Sequence, residues 1–326
     1  MSGVLFVFGA DMRIVFIGAT EFSWHVLEEL LELRADLAAV FTLRPSAAAG
    51  LIPDYRDLSE LTMPRHIPCF GTDRIDVDEN VQRLHWLKPD LILVMGLHLP
   101  LPEGFLQVPR LGLIKSFPSL VPDGPSHSAV SWAILTGAPS TGLSFCYMRS
   151  ASEVGDLILQ RSWPVSVDDS AASLYRRMVG AGREMTRELL AQLASGAVSA
   201  RPVDAAPVFP SDPPARRIDW SLPARAVYDL VRASTHPFAG AFTSVEGRRL
   251  TVWKAHLSYE GRDALPGEVL ACHESAVEIA CGAGSLLLQI VQIGDGPDEP
   301  ARRAFDRLGI RPGAHLDSSP ALSSRS

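Results

Sequence analysis

The sequence predicts an α/β protein: a doubly wound, mostly parallel sheet followed by a second, smaller β-barrel domain. Three observations carry that reading. Up to Val94, apolar runs of strand length alternate with helix-length amphipathic stretches, the pattern of βαβ units. Those runs lack polar alternation, as strands buried on both faces do. Beyond Arg216, short strand-like runs follow one another between turn residues, which suggests a small barrel.

Residues 13–17 form the first predicted strand, ended by Gly18-Ala19-Thr20. From about Phe22 to Leu33 a helix is expected, because Val26, Leu27, Leu30 and Leu31 recur on one face. Leu37–Thr42 is a second strand, 44–57 a loop rich in Ala, Pro and Gly, 67–70 a short third strand, and 76–87 a helix. Leu91–Val94 then reads as a fourth strand directly after Pro89-Asp90. The stretch that organises the chain is 112–137, GLIKSFPSLVPDGPSHSAVSWAILTG. It predicts a strand ending at Leu113-Ile114, a loop broken by Pro118, Pro122 and Pro125, and a helix from about Ala129. In open α/β sheets, ligands bind in the loops at the carboxyl ends of strands. Strands at 142–148, which leaves the parallel order, and at 155–161 follow, then a long amphipathic helix over 171–194. Residues 200–216 carry five prolines and read as a stiff linker. After it come a helix over 224–233 and strands at 241–246, 249–257, 267–272, 275–280 and 285–293.

The expected organisation is an N-terminal extension over 1–11, an α/β domain over 12–200, a Pro-rich linker over 201–215, a barrel domain over 216–316 and a disordered tail over 317–326. A chain of 326 residues, 47% hydrophobic and 21% charged, can fill two cores. The net charge of −7, without a basic run, lowers the expectation of a nucleic-acid partner. Cys69, Cys146, Cys272 and Cys281 show no metal or redox spacing and are expected to be reduced, as in a cytoplasmic protein. The apolar N-terminus is interrupted by Asp11 and Arg13 and lacks a basic leader, so it reads as an extended start before the strand. No run approaches the ~18 apolar residues that span a membrane.

Several residues carry a resemblance. Arg217-Ile218-Asp219-Trp220, Pro223-Ala224, Val231-Arg232-Ala233 and Pro237-Phe238-Ala239-Gly240-Ala241-Phe242 keep a specific order and spacing. In the N-terminal half stand Pro89-Asp90-Leu91-Ile92, Met95-Gly96-Leu97-His98-Leu99, Ser119-Leu120-Val121-Pro122, Trp132-Ala133-Ile134 and Gly155-Asp156. In these the chain resembles, from Met12 to about Leu316, the two-domain type of 10-formyltetrahydrofolate-dependent formyltransferases. That type includes methionyl-tRNA formyltransferase and the formyltransferase domain that acts on UDP-amino-arabinose. The resemblance implies a Rossmann-like formyltransferase domain, an OB-like C-terminal domain and 10-formyltetrahydrofolate as co-substrate. It also implies a pterin loop at Met95, Gly96, Leu97, His98 and Leu99, with Gly155 and Asp156 just after a catalytic Asp.

The resemblance further implies an Asn-x-His pair before the Ser-Leu-Leu-Pro motif. The Asn would donate to the developing oxyanion, and the His, oriented by the Asp, would handle the proton of the amine. In this chain those three positions hold Lys115, Phe117 and Glu153. The Arg-Gly that follows the motif becomes Pro125-Ser126, and the next Pro becomes Ala129.

Lys115 can act as an electrostatic donor or, if desolvated, as a base or Schiff-base nucleophile; the plain alternative is a solvated lysine at a loop start. Phe117 transfers no proton and either stacks on a ring or fills the space of an imidazole. Glu153 keeps the carboxylate but moves it by about 1.5 Å, and pairing with Lys115 is one expectation. Ser119 and His127, in the same loop, complete the candidate catalytic set, and His98 flanks the pterin loop; for either histidine the plain alternative is an exposed side chain. No metal site is expected, and the glycines near the first strand form no dinucleotide fingerprint.

Three functions remain open. The first is transfer of a one-carbon group from a folate to an amine of a small molecule or nucleotide sugar, with tRNA less expected on the acidic balance. The second is other chemistry centred on Lys115 and Glu153, such as that of a hydrolase or a condensing or carbonyl-modifying enzyme. The third is a non-catalytic relative that binds folate or a partner. A homo-oligomer is compatible with all three.

Overall fold

A computed structural model of the chain describes residues 12–49, 52–97, 101–122, 129–151, 153–203, 216–258 and 264–317. The expected N-terminal extension, residues 204–215 of the expected linker and residues 318–326 of the expected tail lie outside the described residues. The described residues form two compact units. One holds those up to Ala129, Pro139–Pro164 and those from Tyr175 to 203; the other holds Val130–Ala138, Val165–Leu174 and those from 216 onward.

The first unit is built on strands β1 (Ile14–Ile17), β2 (Leu37–Leu43), β3 (Cys69–Thr72), β4 (Leu91–Val94), β5 (Leu113–Phe117), β6 (Ser140–Met148) and β7 (Val154–Pro164). Their spatial order is β3-β2-β1-β4-β5-β6-β7. The pairs from β3 to β5 are parallel, and β6 and β7 add antiparallel to that edge. β1, β2 and β4 are buried along their whole length, which is why the sequence shows apolar runs there instead of alternation. The helices along this part of the chain are α1 (Glu21–Glu32), α2 (Pro45–Ala48), α3 (Ser59–Thr62), α4 (Asp78–Leu87), α5 (Gly104–Gln107), α6 (Ala129–Leu135) and α7 (Ala171–Ser195); α6 from Val130 onward and the first turn of α7 belong to the second unit. Three of these, α2, α3 and α5, are single turns of four residues, too short to show a periodic stripe.

Thr20 caps α1 reciprocally with Ser23. The amides of the first helical turn are then all taken: Glu21 N donates to Asp54 O, Phe22 N to the Tyr175 hydroxyl at 2.9 Å, and Ser23 N to Thr20 Oγ1. A helix N-terminus with its donors spent offers nothing to a phosphate. Glu29, buried on α1, accepts from Arg183 and Arg187 of α7, which ties the two helices on one face of the sheet.

The second unit contains helix α8 (Ala224–Ser234) and the antiparallel sheet β10-β11-β12-β9-β8. Its strands are β8 (Ala241–Val245), β9 (Arg248–Ser258), β10 (Val269–Cys272), β11 (Val277–Ala280) and β12 (Ser285–Ile293). A two-residue strand, β13 (Glu299–Pro300), pairs with β12 and leads into α9 (Ala301–Leu308), which the strand-by-strand reading of the sequence lacked. Both sheet edges meet the same terminal stretch: Glu268 bridges to His315, and Ser244 to Asp317. That strap curls the sheet toward the barrel expected from the sequence. Trp220, Phe305, Val231 and Leu288 lie in its core. Among the described residues no helix is long and apolar enough to cross a membrane.

Candidate functional site

The central strand runs further than its sequence suggests. β5 continues through Phe117, so Lys115 is not at a loop start but in mid-strand. It is 7% exposed, which overturns the solvated-lysine reading. The prolines that mark the loop begin only at Pro118, and Lys115-Ser116 carries no turn signal; the polar pair alone suggested an early end.

Register shows what surrounds the lysine. Following paired residues across the whole sheet gives Phe70, Phe41, Ile17, Val94, Lys115, Cys146 and Leu157, then Arg201 bridged to Leu157 at the far edge. Paired residues share a face, so an ammonium interrupts a row that is otherwise apolar until its exposed end. On one side Val94 and Leu113 belong to the cluster under α4 and α5. On the other, Phe117 packs with Val121, Cys146, Leu157 and Val203. The Lys115 ammonium lies 5.8 Å from the centre of the Phe117 ring. No hydrogen bond or ion pair holds it among the described residues. Burial alone pulls its pKa from 10.5 down to about 8. Burial also pushes the neighbouring Cys146 thiol up to about 12, so it stays neutral.

Phe117 is nearly buried and embedded in apolar side chains. The next residue pair of the register is polar. Phe117 faces Ser144, and Ser144 faces Gln160. The Ser144 hydroxyl donates to Ser119 O at 2.6 Å and accepts from Val121 N at 3.2 Å; Gln160 Nε2 donates to Val121 O and to Ser144 Oγ. This network holds the backbone of 119–121 against the sheet. The hydroxyl of Ser119 itself is buried and has no partner among the described residues.

Glu153 does not join Lys115. It sits 45% exposed at the β6–β7 hairpin and accepts from Arg149 at 2.8 Å; Asp156 lies 3.8 Å from the same guanidinium. The expected Lys115–Glu153 ion pair is therefore absent among the described residues. Arg149, four residues before Glu153, carries the signal that the sequence reading passed over. Gly155 is the close approach of this hairpin: a β-carbon there would lie 2.9 Å from Tyr147 O.

At the carboxyl end of β4, Met95 and Leu97 are buried and Gly96 has φ +72°. Met95 N donates to Ile17 O, Met95 O accepts from Ser23 Oγ at 2.6 Å, and Gly96 N donates to Ser116 Oγ at 3.0 Å. The Gly96 carbonyl and the Leu97 amide have no partner among the described residues. His98, Leu99 and His127 lie outside the described residues. Two neighbouring β-strands thus present, at or near their carboxyl ends, an ammonium, a hydroxyl and a backbone donor–acceptor pair that have no partner among the described residues.

The sequence matches the family model described as "Formyl transferase" over residues 12–190, and "Formyl transferase, C-terminal domain" over residues 211–308. The chain belongs to the formyl transferase family. A methionyl-tRNA formyltransferase of Citrifermentans bemidjiense is 31% identical over 320 residues, covering 95% of this chain and 98% of that protein. Among solved structures, HypX from Aquifex aeolicus in complex with tetrahydrofolic acid superposes with a TM-score of 0.65 at 23% identity. That match covers 92% of this chain, which spans only 48% of the HypX chain. The N-formyltransferase from Helicobacter canadensis, in complex with folinic acid and dTDP-3-aminofucose, gives 0.60 at 13% identity, covering 85% of this chain and 99% of that one. At these identities the structural likenesses concern the fold.

Proposed function

We propose that this family member transfers a formyl group from 10-formyltetrahydrofolate to an amine of a small molecule or nucleotide sugar, with Lys115 in place of the usual amide donor. The observation that carries this reading is the buried, unpartnered ammonium of Lys115 at the family's Asn position. In acyl transfer the amine nitrogen attacks the formyl carbon, negative charge gathers on the formyl oxygen, and the bond to the departing nitrogen breaks as that nitrogen takes up a proton. A cation held in apolar surroundings stabilises that oxygen more than it would in water. Ser119 Oγ, also unpartnered, is a second candidate donor on the same strand end. The folate is supported by the bound molecules named for HypX and the Helicobacter canadensis enzyme. It is supported equally by the free Gly96 carbonyl and Leu97 amide, since a pterin edge carries both donors and acceptors.

Phe117 leaves the site without the family's imidazole. Proton removal from the amine then falls to the acceptor's own equilibrium or to solvent, which favours an amine of low basicity.

The test is consumption of 10-formyltetrahydrofolate with a panel of amino sugars, nucleotide amino sugars and small amines, for the wild type and Lys115→Met. Acceptor-dependent turnover that drops by about 100-fold or more in the variant is the expected result. Folate binding without turnover of any acceptor would replace this reading with a non-catalytic, folate-binding one.

A further inference from the structure

We propose that Ser116 is a positioning residue that locks the Met95–Gly96 turn to the strand carrying Lys115, and so sets the folate-binding turn and the charged centre from one strand. The inference rests on the folate reading above.

The hydroxyls around the turn can be assigned one by one. Ser23 Oγ accepts from the amides of Ala19 and Thr20 and gives its own hydrogen to Met95 O. The 2.9 Å contact between Thr20 Oγ1 and Ser23 Oγ therefore has Thr20 as donor, and Thr20 Oγ1 accepts in turn from Ser23 N. These contacts fix the Met95 carbonyl from the β1 side. The other end of the same turn, the Gly96 amide, is held among the described residues by Ser116 Oγ, from the β5 side.

Gly96 has little freedom to find another arrangement. Its left-handed φ suits glycine, and a β-carbon there would lie 2.3 Å from Thr20 Oγ1. Ser116 is 2% exposed, and its strand neighbour on the same face, Ile114, is wholly buried. The site would accept an apolar residue as far as packing goes. An apolar residue, however, would take the acceptor from the half-buried Gly96 amide. Alternation along β5 puts Ser116 on the opposite face from Lys115 and Phe117, so a change at 116 leaves the lysine's own row in place. The next two polar groups along the turn are the unpaired Gly96 carbonyl and Leu97 amide. A shift of the Gly96 peptide would misdirect both.

The test is calorimetric titration of the full chain with 5-formyltetrahydrofolate for the wild type, Ser116→Ala and Ser116→Thr, each first shown to be folded by circular dichroism. Loss of the amide's acceptor is expected to weaken binding by about ten-fold or more in Ser116→Ala, while Ser116→Thr, which keeps the hydroxyl, restores it. Hydrogen exchange of the Gly96 amide should accelerate in Ser116→Ala, with β4 itself unchanged. If Ser116→Ala does not fold, Ser116→Cys, a weaker acceptor of similar size, should rank below both the wild type and Ser116→Thr. Equal affinities for wild type and the variant lacking the hydroxyl would overturn the role of Ser116 and leave the folate reading standing. No binding by the wild type would overturn the folate reading and this inference with it.

Discussion

Lys115 gives up its hydration on folding and gains no counter-charge among the described residues, and that imbalance has consequences that can be measured. Its folded pKa of about 8 lies below the 10.5 of an exposed lysine. Between those values the unfolded chain binds more protons than the folded one, so stability rises with pH across that window. Below about pH 8 both states are protonated and the penalty is complete, at roughly 3 kcal/mol by the pKa difference. Urea titrations should therefore find Lys115→Met more stable than the wild type at neutral pH, with the gap closing as pH rises from about 8 to 10.5. A gap that does not change with pH would contradict a buried ammonium. Turnover that needs the ammonium should decline above about pH 8. Phe117→Ala would cost about 3–5 kcal/mol as a buried large-to-small change. By letting water reach Lys115 it should also move the alkaline decline of turnover to higher pH.

At the level of elements, the site is the meeting of two strand ends with a hairpin. Ser144 on β6 and Gln160 on β7 hold residues 119–121 through three hydrogen bonds, and a fourth joins the two side chains to each other. Ser144→Ala removes a buried group that both donates and accepts, and should destabilise the protein by about 1–3 kcal/mol. Amide exchange at Val121 should rise at the same time, and Gln160→Ala added to it should cost less than it does alone, because the two share one network. The strands themselves were legible from Val15, Phe41 and Ile92 and their neighbours, because burial on both faces leaves an unbroken apolar run. The end of β5 was not. Lys115 and Ser116 are polar, and only pairing with β6 at Cys146 and Phe145 shows that the strand continues through them. The candidate site was legible as a place, since the Ser119–Pro122 motif marks it. Its wiring was legible only in part: Arg149 stands four residues before Glu153 and could have been read as its partner, whereas nothing in the linear order says that Ser144 reaches back to Ser119 across 25 residues.

For the whole molecule, the family's frame is kept while the residues at its reacting centre are exchanged. The two compact units do not follow a single cut in the chain, since Val130–Ala138 and Val165–Leu174 belong with the C-terminal sheet. Within that unit, Ser131 Oγ donates to Ala233 O at 2.7 Å, and the buried guanidinium of Arg232 donates to Asp169 O at 2.7 Å. A fragment beginning at residue 216 would lose both partners and leave a buried Arg232 N–H without the carbonyl of Asp169 that accepts from it. It should unfold at lower urea than the same unit in the full chain, with the difference reported by exchange across α8. The claim that joins the scales is that this frame still receives a folate beside Lys115. Calorimetric titration of the full chain with 5-formyltetrahydrofolate tests it most directly. The account predicts saturable binding in the micromolar range, and the absence of any binding at millimolar folate would contradict it.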